Sequence, residues 1–123
     1  MHTHFPADRL LQHPTPCYYY DTALLDATLA EIDRCTHGEP HWHVHYAIKA
    51  NANPAILRRI ARAGLGADCV SGGEIEAAIA AGIPASRIVY AGVGKSDREI
   101  DLALRHSIAC FNVESLEELQ VIN

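Results

Sequence analysis

Several common protein classes are excluded by what this 123-residue chain lacks. It has no C-x-x-C pair, because its four cysteines (Cys17, Cys35, Cys69 and Cys110) are widely scattered. That scatter excludes a zinc ribbon or a thioredoxin-type motif and argues against a disulfide framework. Cys69 and Cys110 lie inside apolar, strand-like runs and are expected to be buried, reduced core residues. There is no basic run, and 15 acidic against 10 basic residues leave a formal net charge of −5. Nucleic acid is therefore not expected as a partner. No apolar stretch approaches membrane-spanning length, and Met1-His2-Thr3-His4-Phe5-Pro6 lacks the charged-then-apolar layout of a signal peptide. A cytoplasmic setting without membrane contact is expected. Lysine is scarce as well: Lys49 and Lys95 are the only two. What remains, 49% hydrophobic and 20% charged, is an ordinary globular composition long enough for one modest core.

Residues 1–16 are polar, carry Pro6, Pro14 and Pro16, and read as a lead-in rather than a packed element. Cys17-Tyr18-Tyr19-Tyr20 has strand propensity. Asp21 is placed to cap a helix whose Leu24, Leu25, Thr28, Leu29 and Ile32 fall at helical spacing. Thr36-His37-Gly38-Glu39-Pro40 breaks it.

From Trp42 onward one unit recurs: a short strand, a small turn, a capped helix and a break. The first predicts a strand over residues 43–48 and a helix over residues 54–63, with Asn53 as N-cap and Pro54 in the first helical position. Ile56, Leu57, Ile60 and Ala61 are expected to face inward there, and Arg58, Arg59 and Arg62 outward. The second is Ala67-Asp68-Cys69-Val70 followed by the capping box Ser71-Gly72-Gly73-Glu74, its helix ending at Gly82 before Pro84. Ile88-Val89-Tyr90-Ala91 with Ser96-Asp97-Arg98-Glu99 is the third; Cys110-Phe111-Asn112-Val113 with Ser115-Leu116-Glu117-Glu118 is the fourth. This alternation predicts βαβ units and a parallel sheet. Four units are too few for a closed (β/α)8 barrel of ~250 residues. The last residues, Leu119-Gln120-Val121-Ile122-Asn123, carry no helix stop, so part of a longer chain is expected.

Lys49 falls where the first predicted strand ends. A lysine there sits over the end of a sheet, where α/β folds and barrels put their chemistry, although most lysines are simply solvated. Asp68, on an adjacent parallel strand, would lie near the same end and could hold or tune that lysine. Glu74 has a sufficient role as reciprocal partner of Ser71 in the capping box. Gly92-Val93-Gly94-Lys95-Ser96 invites a phosphate-loop reading, but the motif needs glycine at position 89, which is Val89. Gly64-Leu65-Gly66 precedes a strand and continues to Cys69, so it is no dinucleotide fingerprint. His41, His43 and His45 alternate and on a strand would share a face with Ala47 and Lys49. Without a carboxylate or distant ligand they read as a solvated or hydrogen-bonded run, and no metal is expected.

Tyr46-Ala47-Ile48-Lys49-Ala50-Asn51 and Gly64-Leu65-Gly66-Ala67-Asp68-Cys69-Val70-Ser71-Gly72-Gly73-Glu74 strongly resemble the fold-type III pyridoxal-phosphate decarboxylases. The run from Gly66 to Glu74 favours the branch acting on diaminopimelate over the racemases. Pro14-Thr15-Pro16-Cys17-Tyr18-Tyr19-Tyr20-Asp21, Ala81-Gly82, Gly92-Val93-Gly94-Lys95-Ser96 and Phe111-Asn112-Val113-Glu114-Ser115 continue the match in order. Cys69 and Val93 depart from the family pattern, which has another hydrophobic residue and often asparagine there.

The resemblance implies an α/β fold: the N-terminal part of a pyridoxal-phosphate-binding (β/α)8 TIM barrel of alanine racemase type, with about four β/α units. Residues 1–25 would be a lead-in and first strand pairing with a C-terminal β domain; residues 26–123 would be the partial barrel. It implies that Lys49 is the catalytic lysine that bonds covalently to pyridoxal 5′-phosphate, and that Asp68 and Glu74 are acidic cofactor-site residues. The implied reaction is decarboxylation of meso-2,6-diaminopimelate to L-lysine by a full-length homodimer, with phosphate-, pyridine-nitrogen- and substrate-binding residues beyond position 123. Ornithine/arginine and carboxynorspermidine decarboxylases, amino-acid racemases and a catalytically silent fragment are the alternatives.

Overall fold

Four short parallel strands form one sheet in their order along the chain. In the computed structural model, which describes residues 6–123, they are His45–Ala47 (β1), Gly66–Cys69 (β2), Ile88–Tyr90 (β3) and Cys110–Phe111 (β4). The helices are Ala7–Leu10 (α1), Thr22–Thr36 (α2), Pro54–Arg62 (α3), Gly72–Ala80 (α4), Asp97–His106 (α5) and Leu116–Ile122 (α6). The chain clusters into two units, one running to Cys35 and the other Thr36–Asn123, which holds the sheet. Spatial order equals chain order, so the sheet winds in one direction as in a barrel. A doubly wound fold would reverse at a switch point.

Local chemistry sets the element starts. The Asp21 Oδ1 accepts hydrogen bonds from the backbone N–H of Ala23 (2.9 Å) and Leu24 (3.1 Å), opening α2. Asn53 Oδ1 accepts from Ala55 N at 2.8 Å, and Pro54, lacking a donor, occupies the first position of α3 where none is needed. Gly82 reverses the chain after α4 at φ +95°, a left-handed conformation that costs glycine little.

The core lies on one face of the sheet. Side chains alternate across a strand, and residues paired in register share a face. Ala67, Cys69, Ile88 and Tyr90 are buried on the face covered by helices, with Leu57 and Ile60 of α3, Ile75 and Ala78 of α4, and Ile100 and Ala103 of α5. The opposite face carries Ala47, Asp68, Val89 and Cys110, paired in sequence across the four strands. Those four are half-buried, apart from an exposed Cys110.

Three expectations need correction. The first strand is shorter than residues 43–48: only His45–Ala47 pairs with β2, and Ile48–Ala50 tightens into a 3-10 turn. His41, His43 and Lys49 therefore do not share one strand face with His45. Cys17-Tyr18-Tyr19-Tyr20 is not a strand; Tyr18, Tyr19 and Tyr20 are exposed, because no neighbouring strand in the chain pairs with them. Cys110 is exposed rather than buried, since β4 is an edge strand and Cys110 points away from the helices. The helix capped by Asp21 forms as expected, and of its apolar stripe only Leu29 is fully buried. The lead-in holds only the single-turn α1, which buries nothing, in keeping with its reading as no packed element; that expectation also covered residues 1–5, which lie outside the described residues, as does most of the segment judged for a signal peptide.

Gly66 marks the closest approach in the sheet. A Cβ there would meet the backbone oxygen of Arg87 at 2.5 Å and press on the His45 ring, whereas one at Gly73 would find its nearest neighbour at 4.0 Å. Gly66→Ala is expected to destabilise the chain by about 1–3 kcal/mol through overpacking. Gly73→Ala should leave the urea midpoint unchanged or raise it, because alanine favours helix. Equal midpoints for the two variants would contradict this packing.

Candidate active site

In a one-directional parallel sheet the C-terminal strand ends share an edge, and the candidate residues gather there. Lys49 lies two residues beyond Ala47, the partner of Asp68 in the β1–β2 register. The turn that carries it is built by its neighbours. Ile48 is fully buried and anchors it. Asn51 N donates to Ile48 O at 3.0 Å, and the Tyr46 hydroxyl donates to Asn51 O at 3.2 Å. Asn51 Oδ1 in turn accepts from Asn53 N at 2.8 Å, which joins the turn to the start of α3. Lys49 itself is exposed, with no side-chain hydrogen bond or ion pair among the described residues.

Asp68 is half-buried on β2, facing away from the helix-covered side. It makes no ion pair with Lys49. Glu74 does not close the box with Ser71 in the expected way. Ser71 Oγ accepts from Glu74 N at 3.3 Å, but Glu74 Oε2 reaches one residue further back, to Val70 N at 2.7 Å. Glu118 repeats the pattern, accepting from Glu114 N at 2.8 Å while Ser115 Oγ takes Glu118 N at 3.1 Å. Only Glu99 returns to its own N-cap, accepting from Ser96 N at 3.1 Å.

The sequence reading missed a second cluster on this edge. Lys95, considered only as a failed phosphate-loop lysine, has a side chain 1% exposed and paired with Glu118. Its ammonium also donates to Gly92 O at 2.7 Å and Asn112 O at 2.8 Å, and lies 5.4 Å from the Tyr90 ring centroid. Glu99 Oε1 accepts from Gly72 N at 2.8 Å, across 27 residues of sequence. The available signal was the pairing of a lone lysine in one strand-end loop with a capping glutamate after the next strand; nothing local linked Glu99 to Gly72.

Electrostatics follow these contacts. The Lys95 ammonium, and then the Glu114 N–H, hold the Glu118 carboxyl below the usual range. Glu99 is held low by the Gly72 N–H first and then by Ser96. Burial, reinforced by Glu99, pushes the Tyr90 phenol up to about 12. Burial, then the charges of Glu74 and Asp68, pushes the Cys69 thiol up to about 12. Cys69 is thus a protonated core thiol and not a nucleophile. The one accessible amine on this edge is Lys49, which can act as a covalent nucleophile or a cationic anchor.

Known proteins resemble this chain over most of its length. Residues 25–123 match the family described as pyridoxal-dependent decarboxylase, pyridoxal binding domain. A diaminopimelate decarboxylase of Bacteroides thetaiotaomicron is 57% identical over 119 residues, 97% of this chain and 31% of that protein. Its Vibrio cholerae counterpart is 44% identical over 117 residues, 95% of this chain and 28% of that one. The crystal structure of diaminopimelate decarboxylase from Helicobacter pylori complexed with L-lysine superimposes with a TM-score of 0.84 at 41% identity, covering 94% of this chain and 29% of that one. The chain thus spans less than a third of each of these relatives.

The two lysines should differ in reactivity. Limited acetylation of the folded chain, mapped by mass spectrometry, is expected to modify Lys49 and spare Lys95, with the difference lost in denaturant; equal modification in the folded chain would contradict the burial of Lys95. The two depressed carboxyls give a pH dependence as well. A carboxyl whose folded value lies below its unfolded value adds stability that is complete above the unfolded value, near 4.5, and is lost as pH falls through the folded one. Thermal midpoints should hold above that pH and drop below it. Glu118→Gln should flatten the drop, and an unchanged slope would refute the contribution of Glu118.

Proposed function

The chain belongs to the pyridoxal-dependent decarboxylases, with residues 25–123 as their pyridoxal-binding domain, and from that premise we propose that Lys49 is the amine that takes pyridoxal 5′-phosphate. We propose further that the whole protein converts meso-2,6-diaminopimelate to L-lysine. The reading is supported above all by the position of Lys49: an exposed primary amine on a turn anchored by a buried residue, at the sheet edge where the strands end.

The donor set fits such a cofactor. Lys95, the other lysine, is withdrawn into its own three oxygen partners, so one amine is free to react. When bound, pyridoxal phosphate supplies an electron sink for the pair left behind as carbon dioxide departs. The chain's own residues prepare that event. Lys49 attacks only as the neutral amine, and the Ile48–Ala50 turn fixes the backbone point from which its side chain extends. Asp68, on the neighbouring strand at the same edge, places a carboxyl group on the open face of the sheet beside the position of the cofactor. Glu74 keeps the turn after β2 in shape through Val70 N and sets a second negative charge close by.

The proposal extends to the rest of the protein. Residues up to about 25 would pair with a C-terminal β domain, which together with the later barrel would supply the phosphate- and substrate-binding groups. The enzyme would be a cytoplasmic homodimer acting on a small amino acid, without nucleic-acid or membrane partners. Among the described residues no helix is long and apolar enough to cross a membrane.

Incubation of the whole protein that contains this chain with pyridoxal phosphate, borohydride reduction and peptide mapping tests the assignment. Modification is expected at Lys49, absent from Lys49→Ala, and saturating at cofactor concentrations well below those that modify a free lysine derivative. No adduct, or labelling of Lys49 no better than that of free lysine, would overturn it.

A further inference from the structure

We infer that Lys95 is a positioning residue of this site: a buried cation that ties the loops after β3 and β4 together and, through Tyr90 and Glu99, to the turn after β2. The inference rests on the reading of Lys49 given above for its functional part, and on geometry alone for its structural part.

An ammonium has three N–H donors and no acceptor. At Lys95 all three are used, by Gly92 O in the loop after β3, Asn112 O in the loop after β4, and the Glu118 carboxylate of α6. The side chain is 1% exposed, so nothing is left to receive a ligand. This saturation separates it from Lys49. The tie continues sideways. The Tyr90 ring lies against the ammonium, the charge of Glu99 acts on the Tyr90 phenol, and Glu99 Oε1 accepts from Gly72 N at the start of α4. Gly92 meanwhile packs on Val70: a Cβ on Gly92 would stand 3.4 Å from the Val70 Cβ. The three loops after β2, β3 and β4 are therefore joined by polar contacts, centred on a buried ammonium, at the edge where Lys49 and Asp68 lie.

Stability alone is a poor explanation for this lysine. Desolvating an ammonium can offset what its ion pair returns, and apolar residues of equal volume often do as well. What an apolar side chain cannot do is select one arrangement of two carbonyls and a carboxylate. A site that must hold an amine and a carboxylate to within a fraction of an ångström benefits from that selection.

The test compares the whole protein that contains this chain, as wild type, with its Lys95→Met and Glu118→Gln variants. Amide hydrogen exchange is read by NMR, and the yield of borohydride-trapped cofactor on Lys49 is read at sub-saturating pyridoxal phosphate. In Lys95→Met, exchange at residues 94–96, 112–118 and Gly72 is expected to rise roughly tenfold or more, while residues 67–69 and Leu57 stay within about twofold. The Lys49 adduct should fall several-fold. A uniform rise across strands and loops would make Lys95 an ordinary core group and overturn the inference; so would unchanged loops. Faster loops with an undiminished adduct would leave the tie standing and overturn its role in the site. If Lys95→Met does not fold, Glu118→Gln, which keeps the two carbonyl partners, decides by the same pattern at smaller amplitude. If the wild-type protein forms no adduct, the assignment of Lys49 fails, and the exchange pattern still judges the tie.

Discussion

The packing of α4 against β2 and β3 is the contact on which the sheet-bearing unit depends. Ile75 and Ala78 are fully buried with Ala67, Cys69, Ile88 and Tyr90. The same helix touches α3, α5 and the turn that carries Lys49. Apolar burial of this kind is strong but has no direction. Direction comes from the parallel ladder: each strand must be reached by a crossover, the crossovers cover one face, and every strand then ends at the same edge. The position of the candidate site is a consequence of that constraint.

At this edge the loops are held by carboxylates rather than by apolar packing. Glu74, Glu99 and Glu118 each sit one turn into a helix and accept from backbone N–H groups at or just before its N-cap. Glu99 and Glu118 also reach outside their own helices, to Gly72 and Lys95. Short loops pinned in this way can carry reactive groups without a large local core. The arrangement assigns opposite fates to the only two lysines: one is left free in solvent, the other spends every donor on the scaffold.

Much of this was legible beforehand, and the failures have physical causes. Element order, helix N-caps and the parallel sheet follow from signals that act within three or four residues, so Asp21, Asn53, Ser71, Ser96 and Ser115 all mark true helix starts. Strand length was overestimated, because apolar alternation continues past the point where a partner strand exists, as at Val44 and Val113. Cys69 and Cys110 occupy similar apolar runs, yet one faces the helices and the other does not. That is decided by register and by the edge position of β4. The Lys49 and Asp68 motifs were legible by resemblance. Lys95 was seen and set aside, because its meaning depends on Glu118, 23 residues away.

By itself the sequence determined the α/β class, the succession of four strand–helix units, the helix caps and the identity of the lysine at the end of the first strand. Each of these rests on periodicity or on a side chain reaching its own backbone neighbours. Only the tertiary structure decided that Asp68 lies beside Ala47, that Glu99 holds Gly72, that Cys110 is open to solvent, and which lysine is free to react. Those outcomes require segments distant in the chain to meet at defined register, and local spacing does not encode distances between segments.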